Sequence, residues 1–93
     1  MAVRFLLPAY LRPYAQAQAG LELDASPATV RDALEALRAL HPGVLDRVLT
    51  EQGEIRRHVN VFVGEESIRQ TGGLDTPLAE GAEISIVPAV SGG

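Results

Sequence analysis

Residues 26–43, SPATVRDALEALRALHPG, break the periodicity of everything around them. Val30, Ala33, Leu34, Leu37 and Leu40 fall at i, i+3, i+4, i+7 and i+10, the spacing that lines one face of an α-helix. Thr29 followed by Asp32 makes a capping-box pattern with Asp in place of the usual Glu or Gln. His41-Pro42-Gly43 supplies a stop signal. On both sides of this helix the period is two. Val3, Phe5 and Leu7 alternate with Arg4 and Leu6, and Leu21 and Leu23 alternate with Glu22 and Asp24. Val59, Val61 and Val63 alternate with His58, Asn60 and Phe62, and EISIVP (83–88) points Ile84 and Ile86 inward. Glu66 to Arg69 reads as a short strand after a turn at Gly64-Glu65.

One helix between strands that occupy both ends of a chain allows few arrangements. The order β-β-α-β-β-β predicts an α+β layer: a mixed β-sheet with one main helix packed across one face. The long connection between the end strands supplies the crossover that parallel pairing requires, so the first and last strands can meet at the sheet centre. That arrangement is the β-grasp, or ubiquitin-like, fold. Pro8 and Pro13 bracket a loop, residues 44–56 hold a helical turn and then a loop at Gly53, and TGGLDTPLAEGA is turn-rich. Gly72-Gly73 is read as part of those turns. The reading is one domain over residues 1–89 and a C-terminal tail over 90–93. Aromatic residues make up only 4% of the chain, so the core must be aliphatic.

Charge and composition exclude several functions. A net charge of −4 argues against nucleic acid as a partner, because phosphate binding needs a basic surface. Without cysteine there is no disulfide framework and no thiolate metal site. His41 and His58 have no spacing that suits a metal, so none is expected. No Ser-His-Asp pattern, P-loop or dinucleotide fingerprint is present, which points to a carrier and not an enzyme. All eight basic residues are arginine, so the chain offers no lysine amine for isopeptide bonds to itself. The apolar run near the start is short and broken by Pro8, which predicts no membrane segment and a cytoplasmic protein.

The sequence closes on PAVSGG, directly after the last predicted strand. A glycine pair there contributes nothing to a core and is costly to order. A function outside the fold must explain it. The strand–Gly-Gly ending, together with LRPYA, RHVNVFVGEESIR and TGGLDTPLAEGAEISIVPAVSGG, resembles the ThiS/MoaD family of ubiquitin-like sulfur carriers, and within it the CysO-type branch. The resemblance covers nearly the whole chain. It implies that an E1-like enzyme adenylates the Gly93 carboxylate with ATP and that a sulfur source displaces AMP to leave a thiocarboxylate. ATP and sulfur are used by that partner, and no cofactor is bound to this chain. In the CysO-type branch the acceptor is a pyridoxal-phosphate-dependent cysteine synthase, and a protease afterwards releases cysteine from the tail.

The residue types suit this chemistry. Gly92 and Gly93 lack Cβ atoms, and Ser91 and Val90 are small, so the tail can thread into a partner's active site. The body must offset the cost of ordering it through a docking surface. Leu6, Phe62 and Val87, one from each of three strands, are predicted to share the sheet face opposite the helix, with Arg4 at the rim. Carriers for molybdopterin or thiamin synthesis share the fold and tail. A ubiquitin-like modifier joined to target lysines shares the activation step. A non-catalytic interaction domain needs neither.

Overall fold

The computed structural model describes residues 3–24 and 26–89. Val90, Ser91, Gly92 and Gly93 lie outside the described residues. The strands are β1 (Val3–Leu6), β2 (Gly20–Leu23), β3 (Val59–Val63), β4 (Glu66–Ser67) and β5 (Glu83–Pro88), and the helices are α1 (Val30–Leu40) and α2 (Pro42–Val48). The five strands form one sheet in the order β2-β1-β5-β3-β4. β1 and β5 pair in parallel at its centre, with Phe5 opposite Ile84. The other neighbours are antiparallel. This is the predicted β-grasp arrangement, with the first and last strands paired at the centre of the sheet.

The period-two pattern decides which face is buried. Val3, Phe5, Leu21, Leu23, Val59, Val61, Ile84 and Ile86 all point to one side and are at most 8% exposed. Against them pack Val30, Ala33, Leu34 and Leu37 of α1 and Val44, Leu45 and Val48 of α2. Each fully buried aliphatic or Phe side chain contributes roughly 1.5–3 kcal/mol relative to an exposed one.

α1 begins as its sequence implies. Thr29 is the N-cap, and its hydroxyl accepts the Asp32 N–H at 3.3 Å. A second tie holds this end. The Val30 N–H, orphaned at the helix start, donates to the Thr76 carbonyl at 3.0 Å. Thr76 is the only buried polar residue in the described core. Its hydroxyl donates to the Gly73 carbonyl at 2.7 Å and lies 3.0 Å from the Thr71 hydroxyl. The turn-rich segment after β4 is thereby bolted to α1.

Four expectations change. The helical turn expected within residues 44–56 is a second, shorter helix, α2, which follows the His41-Pro42 stop at once. His41 closes α1 through its N–H to the Leu37 carbonyl, and Pro42 at the first helical position has the φ a new helix needs. The loop between the early prolines is a 3-10 helix, Ala9–Ala15, which buries Leu11 and Ala15. It ends in two left-handed residues, Gln16 and Ala17. The short fourth strand stops at Ser67 and continues as a 3-10 turn, Ile68–Gln70, that drives Ile68 into the core. Leu40 shares the apolar stripe of α1 yet is 60% exposed. It lies in the last turn, beside a hollow at the open edge of β2.

Candidate functional site

The residues that lead to the tail are held firmly. β5 is flanked on one side by β1 and on the other by β3, with Val59 opposite Pro88 and Asn60 opposite Val87. The Ala89 N–H adds a bond to the His58 carbonyl at 2.8 Å. The backbone is therefore fixed up to Ala89, the last described residue. Gly93, predicted as the adenylation and thiocarboxylate site, and Val90, Ser91 and Gly92, predicted to thread into a partner, lie outside the described residues.

Alternation along β5 sends successive side chains to two different surfaces. Val87 points to the sheet face away from the helices and Pro88 to the helical side. On the outer face the register sets Leu6 and Phe62 on either side of Ser85 in one row. Val87 lies two residues along β5 from Ser85. Leu6, Phe62 and Val87 are each half-buried, so the three predicted patch residues do share one accessible face. Arg4 is exposed on the same face, between Glu22 and Glu83 in register. Its guanidinium lies over the Gly20 backbone, where a Cβ on that glycine would meet it at 3.1 Å. It flanks the patch at the end away from Val87.

The helical side carries a feature that sequence reasoning missed. Beside the end of β5 lies an open groove of about 940 Å³ lined by Tyr10, Tyr14, Arg47, Arg56, His58 and Ala89, among others. Tyr10 and Tyr14 come from the Ala9–Ala15 turn and are 44% and 41% exposed. Arg47, on α2, places its guanidinium 3.6 Å from the centroid of the Tyr14 ring and donates to the Gly43 carbonyl at 3.1 Å. Arg56 donates through two nitrogens to the Asp46 carbonyl at 3.1 and 2.9 Å. Partial burial raises the Tyr10 phenol above its ordinary pKa. The i, i+4 spacing of the two tyrosines was the available signal.

Other residues weighed in the sequence stay apart from this end. His41 joins the two helices, and Gly72-Gly73 forms a turn beside Thr76. Among the described residues no three His, Asp or Glu side chains gather as a metal site would require, and no helix is long and apolar enough to cross a membrane.

Comparison with known proteins agrees with this geometry. Residues 5–93 match the ThiS family. The chain is 35% identical to the sulfur carrier protein CysO of Mycobacterium tuberculosis over 95 aligned positions, covering all of both proteins. The crystal structure of that CysO superposes with a TM-score of 0.85 over 95% of this chain and 99% of the other, at 33% identity. A complex of BexX and CysO from Amycolatopsis orientalis gives 0.86 over 99% and 100%, at 32% identity. Small archaeal modifier protein 1 of Haloferax volcanii gives 0.80 over 96% and 98%, at 32% identity.

Proposed function

Because the chain belongs to the ThiS family, we propose that it is a sulfur carrier whose Gly93 carboxylate is activated and converted to a thiocarboxylate. The observation that carries this reading is the placement of Val90–Gly93 directly after β5, the central strand of a β-grasp sheet. A carboxylate is a poor electrophile. An E1-like enzyme would transfer AMP from ATP to a Gly93 carboxylate oxygen and release pyrophosphate. A sulfur nucleophile such as hydrosulfide would then add to the acyl carbon and expel AMP. The product holds sulfur covalently at a carbon that no side chain shields, so free sulfide need not diffuse.

The acceptor we propose is a pyridoxal-phosphate-dependent cysteine synthase, with a protease releasing cysteine from the tail. The full-length likeness to CysO supports cysteine synthesis ahead of molybdopterin or thiamin synthesis. A second reading, conjugation to lysines of target proteins, is supported by the likeness to small archaeal modifier protein 1. It shares the first chemical step and differs in the group that receives the acyl carbon.

The test is reconstitution with the activating enzyme of the same host. Pyrophosphate release should depend on both ATP and this chain, and deletion of Gly93 should abolish it. Adding sulfide, the cysteine synthase and its substrate should then yield cysteine attached to the tail. Pyrophosphate release that persists without Gly93 sinks the proposal. Adducts on lysine and none with the synthase favour the modifier reading.

A further inference from the structure

We propose that the groove of Tyr10, Tyr14, Arg47, Arg56, His58 and Ala89 is a second docking surface, which receives an acidic segment of the enzyme that activates the tail. The inference rests on the carrier reading of Gly93. It concerns the helical side of the molecule and not the outer sheet face.

Position gives the first argument. Ala89 is part of the groove wall, and Gly93 lies four residues beyond it. At about 3.3–3.6 Å per residue the acyl carbon can stand no more than about 14 Å from Ala89. An active site that holds Gly93 therefore stands within about 14 Å of one wall of the groove. Val87 opens onto the outer face and Pro88 onto the groove, so the two surfaces flank the same stretch of chain.

The chemistry of the lining gives the second argument. Arg47 and Arg56 are each oriented by neutral groups: the Gly43 carbonyl and the Tyr14 ring for one, the Asp46 carbonyl for the other. The ion pairs among the described residues are Arg31–Asp75 and Arg38–Glu35, and neither groove arginine takes part in them. In a chain of net charge −4, two arginines thus line one groove without a bonded carboxylate, Arg56 standing where the groove meets the neighbouring hollow that holds Glu51. Asp46 is the one carboxylate in the lining, to which His58 also belongs. The complement is an acidic segment. Fixing the guanidinium groups beforehand lowers the entropic cost of binding, and Tyr and Arg are the residue types that most often carry interface energy.

The test measures tail activation by the host's activating enzyme. The Arg47→Glu/Arg56→Glu variant is compared with wild type and with Arg31→Glu, at the other end of α1. His58→Glu serves as a second probe, since its side chain makes no hydrogen bond or ion pair among the described residues and its loss leaves both arginine anchors in place. Circular dichroism and thermal melting check the fold. We expect the double variant to raise the KM for the carrier about tenfold, with kcat little changed and a flatter salt dependence, because such charges act mainly on encounter. His58→Glu should shift KM the same way by a smaller factor, and Arg31→Glu should leave it unchanged. An unchanged KM in both groove variants overturns the proposal. So does an equal effect from Arg31→Glu, which would reduce it to net charge. A fall in KM also overturns it, since the groove would then be sequestering the chain's own tail, and so does competition by free AMP for wild-type carrier alone, which would make it a nucleotide site. If wild type is not activated at all, the carrier reading fails and this inference falls with it. If wild type is activated and the variants match it, only the groove inference falls.

Discussion

Replacing Thr76 by Val keeps the shape of a buried side chain and removes one hydroxyl, so it isolates the side-chain bonds that hold Thr76 within the turn-rich segment and leaves its backbone bond to Val30 of α1 in place. Thr76 is 5% exposed. Its hydroxyl proton goes to the Gly73 carbonyl at 2.7 Å, so the Thr71 hydroxyl at 3.0 Å must be the donor of their shared bond. The loss is smaller than two bonds suggest. The Gly73 carbonyl keeps the Thr76 backbone N–H at 3.1 Å. The Thr71 hydroxyl falls back on the Ser67 carbonyl, which is distant at 3.5 Å. One net hydrogen bond is lost and one half-buried hydroxyl is weakened, for a cost of about 1–1.5 kcal/mol. In a domain of this size that lowers Tm by about 4–12 °C. Urea unfolding followed by far-ultraviolet circular dichroism is the assay, because the chain has no tryptophan. Thr71→Val should cost less, since Thr76 keeps its 2.7 Å bond. The double variant should fall short of the sum by about 0.5–1 kcal/mol. A Thr76→Val protein as stable as wild type, or strict additivity in the double variant, refutes the reasoning.

Three further predictions concern the core, a turn and a tyrosine. Leu37→Ala should destabilise by about 2–5 kcal/mol in the same urea assay, because Leu37 is 1% exposed. Leu40→Ala, on the same stripe but 60% exposed, should stay within about 0.5 kcal/mol of wild type. Gly64 sits at φ 60° between β3 and β4, so Gly64→Ala should cost about 1–2 kcal/mol by urea titration and Gly64→Asn distinctly less. In a Tyr14→Phe background, Tyr10 is the only tyrosine and its absorbance titration should centre above 10.0. The raised folded-state value means that Tyr10 supports folding below pH 10.0 and that this support is lost as pH rises through its folded pKa; stability rising through that interval would contradict it.

Long, regular segments were legible in the sequence. α1 shows five apolar positions on one stripe, and β1, β3 and β5 show clean alternation, so the parallel meeting of β1 and β5 followed from their positions in the chain. The pattern also placed Leu6, Phe62 and Val87 on one face, because strand alternation survives whatever packs on the other side. α2 was legible only as a helical turn within residues 44–56, because seven residues give too few turns for a period to emerge from Pro42–Val48. The Ala9–Ala15 turn was hidden by Pro13, which reads as a breaker but is tolerated in a short 3-10 segment. The groove was hidden for a different reason. Tyr10 and Tyr14, Arg47, and Arg56 and His58 come from three separate stretches, and only the closing of the fold brings them to the end of β5. Leu40 was misread because periodicity gives a direction around the helix and not whether neighbouring structure reaches that turn.

The central claim is that Gly93 carries sulfur, and intact-mass spectrometry of the protein purified gently from its native host tests it most directly. The sample should also be incubated with ATP, sulfide and host extract. The account predicts a population heavier by one exchange of oxygen for sulfur, placed on Gly93 by fragmentation and lost when Gly93 is deleted. A chain that keeps its plain carboxylate after that incubation, or that carries the added mass anywhere else, contradicts it.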